Sequence, residues 1–240
     1  IDAAAEVINL LLGDRAWPFD FLVENQWWPG FTFTEPELTR RLLDGIRAER
    51  KGIMLDIGHL MNCDTSLRTL EEGADYVHRM LDRHGGLCRY IRGIHLHCSL
   101  SGEYVRAHTG FLPPRLPLDY LKRYGFGYRH ILRIDTHQPW TSPAICEVVE
   151  RIGPDYLVHE LSAPDRGARE EAIHIQNRAS DVDKAAAHPF GCAAVFYQEK
   201  APQPKGYGAL AAGEGFEPSH TESESAVLPL HKPAIFTALS

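Results

Sequence analysis

Five short apolar runs, each ending in a carboxylate or an imidazole, alternate along this chain with stretches of helical period. That alternation limits the folds open to it. The runs are FLVEN with Glu24, GIMLDIGH with Asp56 and His59, IRGIHLH with His95 and His97, HILRIDTH with Asp135 and His137, and YLVHELS with Glu160. Near-continuous apolar strands separated by helices predict a parallel sheet covered by helices. A doubly wound sheet usually binds ligands through a glycine-rich strand-to-helix turn, and neither GxGxxG nor GxxxxGK[ST] occurs here. A barrel instead gathers its chemistry at the C-terminal ends of many strands, where these residues lie. A (β/α)8 barrel is the expected fold.

The helical stretches fit that reading. DAAAEVINLLL carries apolar positions at helical spacing and is closed by Gly13. Thr34 and Glu37 resemble a capping box for PELTRRLLDGIRAER. A second helix is predicted from Thr65 to Arg83, ended by Gly85-Gly86, then one over SPAICEVVERI and one from Asp165 to about Asn177. HILRIDT reads as a fourth strand and YLVHELS as a fifth, with residues 98–127 as a long loop over the site. Five strands are too few to close an eight-stranded cylinder. The chain also opens on Ile1 rather than Met. The expectation is therefore a partial barrel over residues 1–180, lacking about three N-terminal strand–helix units.

Residues 181–240 differ in kind, being rich in Pro, Gly and Ser with no sustained period, and read as an irregular tail. Gly215-Phe216-Glu217-Pro218 also back-translates to a sequence compatible with the reverse complement of a transfer RNA gene's T-arm. Part of the tail therefore resembles non-native translation. The net charge of −7 gives no broad basic field, so nucleic acid is not the first partner to expect. Five scattered cysteines without a CxxC pair suit reduced thiols and a cytoplasmic protein. No run approaches the length of a membrane span, and no membrane partner is expected.

The residues at the strand ends suggest a divalent metal. Glu24 and Glu160 each follow apolar residues, and a buried lone carboxylate is costly without a partner. Such a pair invites an acid–base role. Asp56 and His59 both reach the barrel mouth. His95 and His97 share one strand face, as do Asp135 and His137. Trp27, Trp28 and Trp140 follow two strand ends and read either as aromatic walls for a substrate or as packing. Arg106, in the long loop, is a candidate grip for an anionic group. Oxygen-rich ligation with an imidazole suits manganese, magnesium, cobalt or zinc.

VENQWWPG, LDIGH, GIHLH, DTHQP and HELS, in that order, resemble the last five strands of the xylose isomerase-like barrel superfamily, over residues 18–176. That superfamily contains sugar isomerases and epimerases as well as the endonuclease IV group. The resemblance implies Glu24, Asp56, Glu160 and either His95 or His97 as metal ligands. It also implies His59 as a substrate contact and the two glutamates as proton carriers at carbon. The expected partner is a small carbohydrate, and a homo-oligomer is compatible with it. Two departures stand out. An Asp usual three residues after the ligand histidine is replaced by Cys98 or Leu100, and Asp135-x-His137 resembles the pair that binds an additional zinc in endonuclease IV. The alternatives are therefore a multi-zinc phosphodiesterase and a non-catalytic truncated barrel.

Overall fold

The computed structural model describes residues 1–110, 115–180 and 226–229. Four strands, β1 (Phe21–Glu24), β2 (Lys51–Asp56), β3 (Ile91–Leu96) and β4 (Tyr156–His159), form a parallel sheet in chain order, β1-β2-β3-β4. The architecture is α/β. Among the described strands the order never reverses, so none of them forms the switch point of a doubly wound fold. Registers such as Asp56↔His95 and His95↔Val158 align the strand ends.

Helices lie between the strands, and most begin for reasons visible in the sequence. Helix α1 (Asp2–Leu12) stops at Gly13, whose φ is 60°. Its buried Asn9 donates to the Gly45 carbonyl at 2.8 Å and accepts from the Arg47 amide at 2.7 Å, locking α1 onto α2 (Pro36–Gly45). The Thr34–Glu37 capping box does not form. Pro36 fills the first helical turn, Glu35 is the N-cap, and the Thr34 hydroxyl hydrogen-bonds Thr32 at 2.8 Å. A capping box does form two helices later. Thr69 and Glu72 exchange hydrogen bonds at the start of α4 (Leu70–His84). Between them, β2 runs directly into the short α3 (Ile57–Asn62), so His59 is helical. A 3-10 turn over Gly85–Tyr90 leads into β3.

The segment between β3 and β4 departs most from expectation. HILRIDT is not a strand. It ends α6 (Tyr120–Ile134), a helix capped by the Asp119 side chain, which accepts from the Lys122 amide at 2.9 Å. Ile131 and Ile134 continue the helical period of Tyr120, Tyr124 and Tyr128, and that longer period wins over a four-residue apolar run. The expected loop likewise contains α5 (Gly102–His108). The described parallel strands are thus four rather than five. Helix α7 (Ala144–Ile152) precedes β4, and α8 (Arg166–Ser180) follows it. In the tail, β5 (Ala226–Pro229) pairs antiparallel with β4, a strand where an irregular segment was expected. Of the stretch over residues 213–234 that resembles translated transfer RNA, only Ala226–Pro229 is described; Gly215–Pro218 and Cys192 lie outside the described residues.

The core lies between the sheet and its helices. Ile53, Leu55, Ile94, Leu96 and Leu157 from the strands meet Leu60, Val77, Leu81, Ile145 and Val148 from the helices, all buried. At the strands' N-terminal ends, Asp20 accepts from Arg50 at 2.8 Å and from the Tyr156 hydroxyl at 3.0 Å, and Arg92 lies 3.6 Å away. One carboxylate thereby joins groups at the starts of all four strands.

Candidate metal centre

At the opposite, C-terminal ends of the strands, four carboxylates and four imidazoles meet. The chain builds this from successive strand ends. Glu24 is the last residue of β1, and Asn25 behind it clamps β2, accepting from the Asp56 amide at 2.8 Å and donating to the Asp56 carbonyl at 3.0 Å. Asp56 then caps α3 by accepting from the His59 amide at 2.6 Å, which turns the His59 ring back into the site. Period-2 alternation places His95 and His97 on the same face of β3.

His95 is the imidazole that faces both glutamates. Its Nδ1 lies 3.5 Å from Glu24 Oε2, 3.6 Å from Asp56 Oδ2 and 3.3 Å from Glu160 Oε1. The atom is buried and makes no well-formed hydrogen bond. A buried nitrogen ringed by three carboxylate oxygens matches the donor set of a divalent cation, and Glu24, Asp56 and His95 form one compact group of potential ligands. His97 sits deeper. Its Nε2 lies 3.0 Å from Asp56 Oδ1, and its ring stacks on His137 with centroids 4.3 Å apart. Gly58 makes room for it: a Cβ there would lie 2.0 Å from His97 Cε1.

The second half of the cluster comes from the segment after α6. Asp135 is the C-cap of α6, and His137 adopts a left-handed φ of 46°. Paired amide–carbonyl hydrogen bonds between Cys98 and Gln138 hold this segment against the end of β3, although it is not a strand. His59 Nε2 lies 3.2 Å and His137 Nε2 3.3 Å from Asp135 Oδ2, while Ser99 donates to Asp135 Oδ1 at 3.3 Å. His59 Nδ1 is 3.1 Å from Glu24 Oε1, so His59 joins the two halves. His97, Asp135 and His137 form a further compact ligand group, as do Asp56, His59 and His97.

The charges compensate within the cluster. Burial alone would raise Glu24, but the neighbouring His59 and His95 imidazoles outweigh it and hold the carboxyl at about 2. Asp56 is fully buried and still held well below the usual carboxylate range, chiefly by His97 and His95. Burial disfavours charge on the imidazoles. Even so, Asp135 and Glu24 push His59 up to about 11, and Asp56 and Glu24 push His95 up to about 10. His137 is raised too, against burial, by Glu160 and Asp135.

The remaining sequence candidates divide. The Trp27 ring lies 4.7 Å from that of His59, and Trp28 beside it is half exposed. Trp140 is a packing residue rather than a wall. It is fully buried, and its indole donates to the His97 carbonyl at 2.9 Å. Arg106 lies on α5, and its guanidinium donates to the Thr65 carbonyl. Sequence reasoning missed Gln176 of α8. It is fully buried, donates to the Leu96 carbonyl and to His159 Nδ1, each at 2.7 Å, and accepts from the Trp140 amide at 3.0 Å. It therefore grips the backbone beside His95, His97 and Glu160. The one signal was a long polar residue on the apolar face of its helix. Comparison with protein-family models, curated proteins and solved structures returned no match.

Proposed function

We propose that this chain carries the catalytic face of a metal-dependent sugar or sugar-phosphate isomerase or epimerase, built on the wall of a β/α barrel. The observation that carries the reading is the buried His95 Nδ1 ringed by Glu24, Asp56 and Glu160. The strand order supports the barrel. So does curvature, since Glu24 and Glu160 on the outer parallel strands reach one nitrogen, and Asp20 bonds Tyr156 across the other end. A flat sheet would hold β1 and β4 about 14 Å apart, at roughly 4.8 Å per strand.

A divalent ion held by Glu24, Asp56, His95 and Glu160 would bind adjacent substrate oxygens and stabilise the charge of an enediolate. The protein's own groups do the rest. Glu160 takes the proton from the substrate carbon, and Glu24, which meets the same His95 nitrogen, faces it across the site for the return. Trp27 beside His59 offers an apolar surface to the sugar ring. In the Glu160→Gln variant, size is kept and the base is lost. Solvent deuterium incorporation into a ketose panel, with manganese, magnesium, cobalt or zinc added, should stop while the thermal transition is retained. Wild-type-like exchange in the variant removes Glu160 as the base.

One observation favours a second reading. His59 and His137 both place Nε2 near the same Asp135 oxygen, at 3.2 and 3.3 Å, and His97, Asp135 and His137 form a second ligand group suited to zinc. If no ketose exchanges with wild-type protein while an abasic-site duplex is cleaved, the multi-zinc phosphodiesterase reading replaces the first.

A further inference from the structure

Helix α6 is anchored at its end and meets α5 where His130 hydrogen-bonds Tyr104 at 2.9 Å and Arg133 lies over the same ring, but a broad stripe of it is exposed. Of its fifteen residues only Ile134 is buried. Tyr120, Tyr124, Tyr128 and Ile131 recur at helical spacing with Leu121 beside them, and Leu121 is 68% exposed. Leu118, just before the helix, is 98% exposed. The Tyr124 and Tyr128 rings stack on each other with centroids 6.0 Å apart, which keeps the stripe flat and continuous. Lys122, Arg129 and Arg133 fall on the opposite side of the helical wheel and Arg123 on its flank, and residues 120–134 contain no Asp or Glu. Among the described residues none of these four cations is in an ion pair, although the chain as a whole carries −7.

Charge complementarity selects the partner. A second copy meeting α6 face to face would bring two acid-free cationic helices together, because a two-fold contact is self-complementary. A single-stranded nucleic acid wants aromatic rings and cations on one surface, whereas here they segregate. An anionic lipid surface uses both sides of such a helix at once, the apolar stripe entering the headgroup–acyl boundary and the cations meeting lipid phosphates. At about 1.5 Å per residue the helix is too short to span, and no described helix is long and apolar enough to cross a membrane.

We propose that α6 docks the protein onto an anionic membrane surface through its Tyr–Leu–Ile stripe, with Arg123 on the stripe's flank and Lys122 and Arg129 on the polar side reaching the lipid phosphates. Both ends of the α5–α6 arm return to the Cys98–Gln138 pairing beside the metal centre, so docking holds that centre close to the lipid. The inference does not depend on the reaction catalysed.

The test is flotation of the full chain with vesicles through a density gradient, in which aggregates sink and only bound protein rises. Vesicles of phosphatidylcholine with roughly one-third phosphatidylglycerol should carry at least about tenfold more protein than pure phosphatidylcholine. The double substitution Leu121→Glu with Tyr124→Glu should lower flotation at least about tenfold. The pair Arg123→Glu and Arg129→Glu should abolish the preference for anionic lipid. These positions are exposed, so the thermal transition should not move. Failure to float, or equal flotation on both vesicles, overturns the proposal. So does a wild-type dimer that the apolar pair dissociates, or tight binding of an oligothymidylate in place of vesicles.

Discussion

Replacing Gly58 with alanine sets two effects against each other, and the structure says which wins. Gly58 lies inside helix α3, where alanine is ordinarily better by about 1 kcal/mol. Its added Cβ would lie 2.0 Å from His97 Cε1 and 2.3 Å from Nδ1. The ring has nowhere to go, since its Nε2 is held by Asp56 at 3.0 Å and its far face stacks on His137. Overpacking of this kind costs about 1–3 kcal/mol, and a contact this short against a fixed ring belongs at the upper end. The net is a loss of about 2 kcal/mol, or a melting temperature lower by roughly 4–8 °C for a chain of this size. Thermal unfolding followed by circular dichroism measures it. His97→Ala removes the obstructing ring and also strips a partner from buried Asp56, so it destabilises by itself; in that background Gly58→Ala should cost little more, a coupling of about 2 kcal/mol. A Gly58→Ala protein as stable as wild type, or a loss unaffected by His97→Ala, would refute the packing argument.

Two further outcomes are expected. Gln176→Leu strips partners from three buried groups at about 1–3 kcal/mol each, so the melting temperature should fall by roughly 6–12 °C or more. A shift under about 2 °C would mean that those groups find other partners. Metal binding should release protons. His95, raised to about 10 by its carboxylate neighbours, is cationic at neutral pH and must lose its proton to ligate. Titration calorimetry near pH 7 in buffers of different ionisation enthalpy should show roughly one proton released per ion, and affinity should rise with pH towards 10. In the ion-free protein the sign is opposite. The raised His95 and His59 contribute stability fully present below about 6.5 and lost as pH rises through about 10 and 11. Binding without proton release would remove His95 from the ligand set.

Much of this was legible in the chain because burial and chemistry coincide at strand ends. FLVE, GIMLD, IRGIHL and YLVH are apolar runs that needed covering on both faces, and the acid or histidine ending each run had to find company. HILRIDT misled because three apolar residues in five suit a strand, and the deciding signal, Asp119 capping a fifteen-residue period, lay eleven residues upstream. The site still received Asp135 and His137, through a helix end and a backbone pairing rather than a strand. Whether His95 or His97 faces the glutamates is not readable from alternation, which puts both on one face; depth along the strand decides it. Trp140 and Gln176 were opaque for a different reason. Their roles are hydrogen bonds to main-chain atoms of distant elements, and main-chain partners leave no mark in a sequence.

The strand order also bears on how the molecule assembles. Each strand pairs with its predecessor in the chain, so the sheet can lengthen one β/α unit at a time, as during synthesis from the N-terminus. The hydrogen bond from Tyr156 to Asp20 is of another kind, joining residues 136 positions apart. Closing so long a loop is entropically costly until the intervening strands have shortened it. That bond is therefore expected to form after the intervening strands have paired. Labelling the Asp20–Tyr156 end in a refolding experiment would time its closure separately from strand pairing.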